Sequence, residues 1–400
     1  MVLVARICLI TTILCLGACS VPERVGETPC MALQPPISTE GAKLIDASGC
    51  YFKLFSVNWF GAESPEYVVG GLHKQSIGDI VDLIERGGFN SVRLPWSNEM
   101  FAQNPIVESQ FVAANPEWKN RSALEIFDAV IAEITARGMF VVLDNHRSRA
   151  DWCCDEEHGD GLWYSLAYPE SMWLEHWTQM VLRYKDNPYV IAAELRNELR
   201  PDPGLGLIPS WGEGESNTDW HGAATRAGNA LLEVNPALLI IVGGLEYQEH
   251  LRQAESQPIK LRFDNKLVYA AHDYVWWHSE QELSDPKAFA ENARKRWEFL
   301  VSQRNDLEGE LAPVYISEWG GCTQSQEESP CGEDRRQFLG AMMRYLCEVE
   351  ISWAYWPLNG TQSLGYGREH NQMEGYGLLV PNWDGYANPE FMALMRACMH

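Results

Sequence analysis

The chain has 400 residues, of which 46% are apolar, and it carries a formal net charge of −24 at pH 7. A surface this acidic argues against nucleic acid and against an anionic membrane surface as partners. The length and the apolar content suffice for one large α/β domain with an extensive core.

The first 19 residues have the pattern of an export signal. Arg6 supplies positive charge, Ile7 to Leu16 form a short apolar run, and Leu16-Gly17-Ala18-Cys19 provides small residues before a cleavage site. The run is too short to cross a bilayer, and no later stretch reaches about 18 consecutive apolar residues. The same four residues resemble a bacterial lipobox with Cys19 as the lipidated residue, and an ordinary cleaved signal is the alternative. We therefore expect export, either to the extracellular space or to the cell surface as an outer-membrane lipoprotein.

Residues 20–41 are rich in Pro, Glu and Thr and are predicted to form a linker. The turn sequence Asp46-Ala-Ser-Gly49, between short apolar segments, predicts a β-hairpin over residues 43–53. From residue 54 onward short β-rich runs alternate with helical runs, so we expect a single domain over residues 42–400.

Eight of these runs are predicted to be strands, and several are nearly continuous in apolar residues, as strands covered on both faces are. They are Leu54–Trp59, Asn90–Trp96, Met139–His146, Val190–Glu198, Leu238–Leu245, Lys266–Tyr274, Pro313–Trp319 and Ile351–Leu358.

Helices are predicted between the strands. Ser76-Ile-Gly-Asp79 and Ser122-Ala-Leu-Glu125 have the form of capping boxes ahead of apolar periodicity. Only a short helix fits near Tyr247–Ser256. The remaining helices are predicted over residues 171–185, 219–234, 286–303, 333–348 and 388–398.

This alternation predicts an α/β fold, a single (β/α)8 TIM barrel preceded by a short N-terminal β-hairpin. A doubly wound open sheet is the alternative, and the absence of a Gly-rich nucleotide fingerprint after the first strand disfavours it. Function in a barrel lies in the loops after the strand C-termini. The long loops, 97–121, 147–170 and 199–218, are expected to wall a cleft.

Eleven cysteines are present, three of them in the signal region, which leaves an even number in an exported chain and indicates disulfides. Cys322 and Cys331 could close one loop and Cys347 could pair with Cys398, but the sequence leaves the connectivity open. No partners are assigned to Cys30, Cys50, Cys153 and Cys154. The sequence contains neither Cys-x2-Cys nor His-Glu-x-x-His, so no zinc site is predicted.

Seven of the eight predicted strands end in polar, titratable or indole side chains. Each side chain alone would fit a structural role, such as an ion pair for Arg93 or packing for Trp356. Their concentration at one end of the barrel favours a site. Glu198 ends the fourth strand and Glu318 the seventh, and two glutamates at opposite strand tips can flank a glycosidic bond.

A set of motifs runs in order along the chain: Asn58-Trp59-Phe60-Gly61, Arg93 in Val-Arg-Leu-Pro, His146 in Asp-Asn-His, Asn197-Glu198, His272-x-Tyr274, Ser317-Glu318-Trp319-Gly320 and Trp356. On these motifs the chain resembles glycoside hydrolase family 5, the cellulase-type clan of retaining β-glycosidases, from about residue 42 to residue 398. One departure is that many members have Pro after the Asn-Glu pair, where this chain has Leu199-Arg200.

The resemblance implies a role for each matching residue. Glu198 is expected to be the acid/base and Glu318 the nucleophile, with Arg93 and the Tyr274 hydroxyl donating hydrogen bonds to Glu318. Asn197 is expected to bind the sugar 2-OH. The other expected substrate contacts are His146 and His272, which bind hydroxyls or orient the glutamates, Trp356 as the floor of a subsite, and Trp59, Trp96, Trp152, Trp276 and Trp277 as further cleft residues.

The family also implies the activity. We expect an exported, monomeric hydrolase that cleaves β-1,4-glucan with retention and needs no metal or organic cofactor. β-Mannan, another β-glucan or a β-glucoside is the alternative substrate within the family. A catalytically inactive, sugar-binding barrel is the alternative of another class, and the presence of both glutamates disfavours it. Two glycosylation sequons occur, at Asn120 and Asn359; Asn359 follows the eighth strand beside the cleft, where we expect no glycan.

Overall fold

The computed structural model describes residues 33–154, 159–302, 311–324 and 332–399. The predicted signal segment with Cys19 and most of the predicted linker lie outside the described residues. In the described part of the chain, no helix is both long enough and apolar enough to cross a membrane.

A small antiparallel sheet precedes the barrel. Its strands are β1 (Ser38–Glu40), β2 (Lys43–Ile45) and β3 (Tyr51–Phe52), and the pairing of β2 with β3 confirms the predicted hairpin. Strand β1 falls inside the predicted linker and pairs with β2, so the folded domain begins before residue 42. The pattern missed β1 because its three residues, Ser-Thr-Glu, contain no apolar side chain.

Within the described residues, eight parallel strands close into a barrel in which neighbours in sequence are neighbours in space. This confirms the predicted (β/α)8 TIM barrel. The strands are β4 (Phe55–Asn58), β5 (Ser91–Ser97), β6 (Phe140–Arg147), β7 (Val190–Glu194), β8 (Leu239–Gly243), β9 (Leu267–Asp273), β10 (Val314–Trp319) and β11 (Ser352–Tyr355).

Two predicted strands are longer than the observed ones. Strand β7 ends at Glu194 rather than at Glu198, because its pairing with β6 and with β8 ends at Glu194, and Glu198 itself has a left-handed backbone conformation (φ 44°) that a strand does not accommodate. Strand β11 ends at Tyr355 rather than at Leu358. The other six strands agree with prediction to within about a residue or two at each end, the usual uncertainty of such boundaries.

Helices follow the strands and cover the outside of the barrel. Ser122 forms a complete capping box with Glu125, and Ser76 accepts a hydrogen bond from the backbone N–H of Asp79. The covering helices are α1 (Ile77–Arg86), α3 (Ala123–Ala136), α4 (Glu170–Tyr184), α5 (Trp220–Val234), α6 (Arg252–Ser256), α8 (Pro286–Arg296), α9 (Glu333–Glu348) and α10 (Pro389–Ala397), and two shorter helices, α2 (Asn98–Gln103) and α7 (Glu280–Ser284), lie in loops.

One helix differs from its prediction. The helix expected over residues 286–303 ends at Arg296, and a single 3-10 turn, Glu298–Leu300, follows it. Trp297 leaves the helical conformation (φ −150°) and is fully buried. Burial of the indole therefore outweighs continuation of the helix at this point.

The core has two layers, one between strands and helices and one inside the barrel. The inner layer includes Val142, Ile241 and Tyr315, and Ile37 and Leu44 of the N-terminal segment belong to the same cluster. Ile37 and Leu44 are almost completely buried, and burial of such a side chain contributes about 1.5–3 kcal/mol. The N-terminal sheet therefore covers the end of the barrel opposite the strand C-termini, which leaves the C-terminal end for the site.

Candidate active site

A cavity of about 600 Å³ opens at the C-terminal ends of the barrel strands. Arg93 and His272 are fully buried behind its wall and contact the two glutamates. The predicted site and cleft residues that line the cavity are His146, Trp152, Asn197, Glu198, Tyr274, Trp276, Trp277, Glu318 and Trp356.

A β-bulge in β10 directs Glu318 into the cavity. Tyr315 points into the barrel and Ile316 packs on the outer layer, as alternation along a strand requires. The pairing of β10 with β9 then shifts register between Ile316 and Glu318. Because a bulge interrupts the alternation, Ser317 and Glu318 both reach the interior of the site.

Glu198 reaches the cavity through its unusual backbone conformation. Its φ of 44° lies in the left-handed region, and its backbone N–H donates to the side-chain oxygen of Gln248 at 2.7 Å. Non-glycine residues are found in this region mainly where surrounding contacts enforce it, often at functional sites. The Gln248 contact is one such constraint on the direction of the Glu198 side chain.

Arg93, on β5, contacts three carboxylates beneath the cavity. Its Nε and Nη2 donate to Glu194 at 2.7 and 3.0 Å, and its Nη1 donates to Oε1 of Glu318 at 2.8 Å. Its Nη2 also donates to Oδ1 of Asn197 at 3.0 Å and lies 3.2 Å from Asp144. Burial by itself lowers the pKa of Arg93, but the three carboxylates raise it well above its usual value. The guanidinium therefore stays charged and fixes the positions of its partners.

Glu318 accepts two hydrogen bonds from rigid donors. One comes from Arg93, and the other comes from the hydroxyl of Tyr274, 3.0 Å from Oε2. Burial raises the pKa of Glu318 to about 7, while the positive charge of Arg93 opposes the increase. Both donors stabilise the ionised carboxylate in preference to the neutral acid.

Glu198 has a different environment. Its Oε1 lies 2.8 Å from Nδ1 of His272, and its Oε2 lies 2.8 Å from Sγ of Cys154. Burial raises the pKa of Glu198 to about 7 as well, against the positive charges of Arg200 and Arg93. No guanidinium or hydroxyl among the described residues donates to its carboxyl oxygens.

The two environments decide which carboxyl holds a proton when the pair shares one. Burial raises the pKa of both carboxyl groups to about 7, but Glu318 is held by a guanidinium and a phenol, so these donors favour the charged form of Glu318 over that of Glu198. Burial lowers the pKa of His272 and keeps the imidazole neutral. Its Nδ1 lies 2.8 Å from Oε1 of Glu198, and its Nε2 lies 3.1 Å from Oγ of Ser317, whose hydroxyl donates to Glu194 at 2.9 Å.

The two glutamates lie close together. One side-chain oxygen of Glu198, one of Glu318 and a ring nitrogen of His272 all lie within 4.8 Å of one another. The two carboxyl groups therefore face the same small volume of the cavity.

The sequence and the fold were compared with those of known proteins. The family described as Cellulase (glycosyl hydrolase family 5) matches residues 45–362. The chain belongs to this family. It is therefore an O-glycosyl hydrolase.

Individual relatives agree with this assignment. An endoglucanase from Paenibacillus polymyxa is 32% identical over 366 residues, which cover 88% of this chain and 84% of that protein. The catalytic domain of the major endoglucanase from Xanthomonas campestris pv. campestris has a TM-score of 0.75 and 26% identity, covering 91% of this chain and 99% of that one. A hyperthermophilic endocellulase from the archaeon Pyrococcus horikoshii, 24% identical with a TM-score of 0.77 over 92% and 100% of the two chains, shares the fold.

One wall of the cavity in this family 5 enzyme is aromatic. Trp356 stacks on the imidazole of His146, with ring centroids 5.4 Å apart and planes at 4°, and on Phe60. His146 in turn lies 2.6 Å from Asp144, and burial lowers the pKa of its imidazole well below the usual value. Trp152 packs against the same group at 6.0 Å from Trp356. The wall is thus an aromatic surface with the neutral imidazole of His146 at one edge and the guanidinium of Arg368 over Trp152.

The opposite wall is also aromatic. Tyr274 stacks on Trp276, with ring centroids 4.6 Å apart and planes at 10°, and Trp277 packs against both. Trp276 is 61% exposed, so its ring is open to solvent and to a ligand. The cavity is therefore lined by aromatic rings on the Tyr274 side as well as on the Trp356 side.

The prediction that Trp59 lines the cleft is wrong. The residue is fully buried in the outer core layer, its indole N–H donates to the carbonyl of Gly70 at 2.9 Å, and it does not line the cavity. The preceding residue, Asn58, points inward and donates to the carbonyls of Ser317 and Tyr355. Because successive side chains leave a strand on opposite faces, Trp59 points outward. Trp96, another predicted cleft residue, is fully buried in the same layer.

Several residues of the site were not found from the sequence. Glu194 binds Arg93, and a signal for it existed, since a charged residue ends an otherwise apolar strand and needs a partner when buried. The connection after β11 contributes Arg368, Glu374 and Tyr376 to the cavity. No periodicity in residues 356–388 indicated that this connection folds over the cleft.

The described disulfides agree with one prediction and add another bond. Cys347 is bonded to Cys398, as predicted. Cys153 and Cys154, left without assigned partners, are bonded to each other and line the cavity. Cys322 is disulfide-bonded, and Cys331, its predicted partner, lies outside the described residues.

Two groups of side chains in the described residues have the proximity of metal ligands. They are Cys153, Cys154 and Glu198, and Glu198, His272 and Glu318. In the first group the sulfur atoms form a disulfide, so neither is available as the thiolate that binds metals. In the second, Arg93 and Tyr274 already occupy the oxygens of Glu318. Neither donor set fits a resident cation.

Proposed function

We propose that this family 5 enzyme hydrolyses β-1,4-linked glucan with retention of configuration, using Glu318 as nucleophile and Glu198 as acid/base. The proposal depends chiefly on the proximity of the two carboxyl groups, whose nearest oxygens lie within 4.8 Å. Retaining glycosidases have carboxyl groups about 5–5.5 Å apart, and inverting enzymes need about 6.5–9.5 Å to admit a water molecule. The names of the Paenibacillus and Xanthomonas relatives support a β-glucan as the substrate.

In the first step, the ionised Glu318 attacks the anomeric carbon while Glu198 gives its proton to the leaving oxygen. The glycosidic C–O bond breaks, and a glycosyl ester of Glu318 forms. The donors Arg93 and Tyr274 keep Glu318 ionised, and the burial of Glu198 keeps its acid form populated. Each carboxyl group therefore has the protonation state that its step requires.

In the second step, Glu198, now a carboxylate, removes a proton from water, and the oxygen attacks the anomeric carbon. The ester bond to Glu318 breaks, and the sugar leaves with its original configuration. Asn197 is proposed to hold the 2-OH through this sequence, since its side chain is fixed between Arg93 and His146. Trp356 is proposed to form the floor of the subsite beside it, because its indole lines the cavity and stacks on the His146 ring.

Two variants and an exogenous nucleophile test the assignment. Glu318→Ala should lose activity by orders of magnitude, and azide should restore part of it on an aryl β-cellobioside by giving an α-glycosyl azide. Glu198→Ala should lose least on substrates with activated aryl leaving groups, which need no proton, and with azide should give the β-glycosyl azide. Glu298→Ala, a glutamate that does not line the cavity, is the control and should keep wild-type rates. An inverted anomer in NMR spectra at early times would refute the scheme.

A substrate panel distinguishes the alternatives. Cello-oligosaccharides, β-mannan, laminarin and an aryl β-glucoside report the preferred sugar and linkage, and the product sizes from the first report endo or exo action. We expect the highest kcat/KM on cello-oligosaccharides. Preference for mannan would reassign the substrate but leave the two glutamates in their roles. Binding of cello-oligosaccharides without turnover of any substrate would indicate a sugar-binding barrel.

A further inference from the structure

The disulfide between Cys153 and Cys154 touches the carboxyl group that is proposed to donate the proton. Sγ of Cys154 lies 2.8 Å from Oε2 of Glu198, and Sγ of Cys153 lies 3.4 Å from the same oxygen. The amide of Asn197 lies 3.8 Å from Sγ of Cys153. The sulfur atoms thus contact the acid/base and the residue beside it at the surface of the cavity.

A disulfide sulfur carries no proton and accepts hydrogen bonds only weakly. Next to Oε2 it can accept from the O–H of a protonated Glu198, but it offers nothing to the carboxylate. Two thiols in the same positions would each offer an S–H to the carboxylate. The oxidation state of these two cysteines therefore changes which form of Glu198 is favoured.

The segment that carries the disulfide is held from several sides. The guanidinium of Arg147 donates to the carbonyl of Trp152, and the guanidinium of Arg368 lies 3.8 Å above the Trp152 ring. Asp151 accepts from the backbone N–H of Trp152 and from that of Tyr366. These contacts position the residue that immediately precedes Cys153, so the sulfur atoms have a defined place at the cavity surface.

We propose that the Cys153–Cys154 disulfide is a positioning element for the acid/base Glu198. Its sulfur atoms cover Oε2 of Glu198 on the cavity side and donate no proton to it. The disulfide thereby favours the protonated form of Glu198 and keeps the Oε2 proton available to the leaving oxygen. The role rests on the proposed function of Glu198. The disulfide touches no reacting bond and acts only through Glu198.

Other charged and titratable groups also face Glu198 from the neighbouring strands and loops. They are His272, Glu318, Arg93, Asp144, Glu194, Arg200 and Tyr274. Replacement of the two sulfur atoms leaves all of these groups in the chain. A change in the titration of Glu198 after that replacement then reports the disulfide itself.

The test is the double variant Cys153→Ser/Cys154→Ser. Serine hydroxyls nearly match the sulfur positions and donate to the carboxylate, which favours the charged form and lowers the pKa of Glu198. The first step needs the acid form of Glu198. On an aryl β-cellobioside with a poor leaving group, the basic limb of the kcat/KM profile should therefore move to lower pH by about one unit. At pH values above the limb, this shift corresponds to a kcat/KM about tenfold below that of the wild type. A dinitrophenyl β-cellobioside should be nearly unaffected.

The matched control is Cys347→Ser/Cys398→Ser, which removes a disulfide that does not line the cavity. Its basic limb should coincide with that of the wild type. A merely structural role of Cys153–Cys154 would lower the rate on both substrates equally and leave the limb in place. Either an unmoved limb or an equal loss on the two substrates would overturn the proposal.

Reduction of the wild-type enzyme gives a second route that needs no variant to fold. A dithiol supplies one electron and one proton to each sulfur and is itself oxidised to a cyclic disulfide. Peptide mapping after alkylation should find Cys153 and Cys154 labelled, and the basic limb should move down and return on reoxidation. The control enzyme Cys347→Ser/Cys398→Ser is treated in parallel. A chelator is present, because the reduced cysteines and Glu198 have the spacing of metal ligands. Labelling without a shift of the limb contradicts the proposal.

Glu198→Ala, measured beside these variants, distinguishes a failure of the proposed function of Glu198 from a failure of the proposed role of the disulfide. If it retains wild-type activity on the poor leaving group, the proposed function of Glu198 is wrong. If it loses that activity while the disulfide variants keep the wild-type limb, only the role of the disulfide is wrong.

Discussion

Replacing Tyr274 with Phe removes one of the two fixed donors to the proposed nucleophile and changes little else. The hydroxyl lies 3.0 Å from Oε2 of Glu318, and the ring stacks on Trp276, a contact that Phe keeps. Arg93 continues to hold Oε1 of Glu318 at 2.8 Å. The substitution therefore measures the effect of a single hydrogen bond on the protonation of a buried carboxyl group.

The magnitude follows from the kind of bond. A hydrogen bond to a charged group is worth about 1.5–3 kcal/mol, and one pKa unit corresponds to about 1.36 kcal/mol, so the pKa of Glu318 should rise by about 1–2 units. The pKa rises because the phenol hydroxyl stabilises the ionised form of Glu318, and the substitution removes this hydroxyl. Burial already raises the pKa of Glu318 to about 7 in the wild type. Since attack requires the ionised form, the acid limb of kcat/KM should move to higher pH.

The assay is kcat/KM against pH on an aryl β-cellobioside. Tyr345→Phe is a matched control, because its hydroxyl also contacts a carboxylate, that of Glu298 at 3.2 Å, and Tyr345 does not line the cavity. The control should keep the wild-type acid limb. An unchanged acid limb in Tyr274→Phe, or one displaced to lower pH, would refute the assignment of the hydroxyl as a donor to an ionised Glu318.

Removal of the Cys347–Cys398 disulfide, which closes a loop with a sequence separation of 51, should lower the free energy of unfolding by up to about 4 kcal/mol in urea denaturation. An unchanged midpoint would contradict this. Glycopeptide mass spectrometry after expression in a glycosylating host should find no glycan at Asn359, which is fully buried, whereas Asn120 is exposed. Occupancy of Asn359 would contradict the placement of this side chain. The intact mass of native material should correspond to a chain that lacks residues 1–18 or a few more. A retained initiator methionine argues against export, and an unmodified mature start argues against the lipid anchor.

The buried charges around Arg93 lower the stability of the fold. One guanidinium and the carboxylates of Asp144, Glu194 and Glu318 are buried together, and desolvation of so many charges opposes folding. Their mutual hydrogen bonds offset part of this penalty. Part of the desolvation penalty remains at Asp144, where burial raises the pKa of the carboxyl group to about 6. Fixed charges of this kind are what electrostatic stabilisation of a transition state requires.

The sequence by itself determined the barrel strands, the helices that cover them and their order. Apolar runs that alternate with capped helical periodicities identified all eight barrel strands, because strand and helix periods depend on local burial. Polar residues at the strand ends, above all Glu198 and Glu318, could be assigned to one end of the barrel because parallel strands bring their C-termini together. The disulfide between Cys347 and Cys398 was also among the pairings that the sequence allowed.

Only the tertiary structure decided which of these residues face one another. Trp59 and Trp356 are both indoles at strand ends, yet the first is fully buried in the core and the second lines the cavity. Glu194 lies under Arg93 because β5 and β7 flank β6 in the barrel, a long-range relation that no local pattern contains. The contact of the Cys153–Cys154 disulfide with Glu198 likewise depends on where a loop after β6 meets the end of β7. Local periodicity reports how deeply a residue is buried, whereas its partners are set by strand register, bulges and loop paths that form only when the barrel closes.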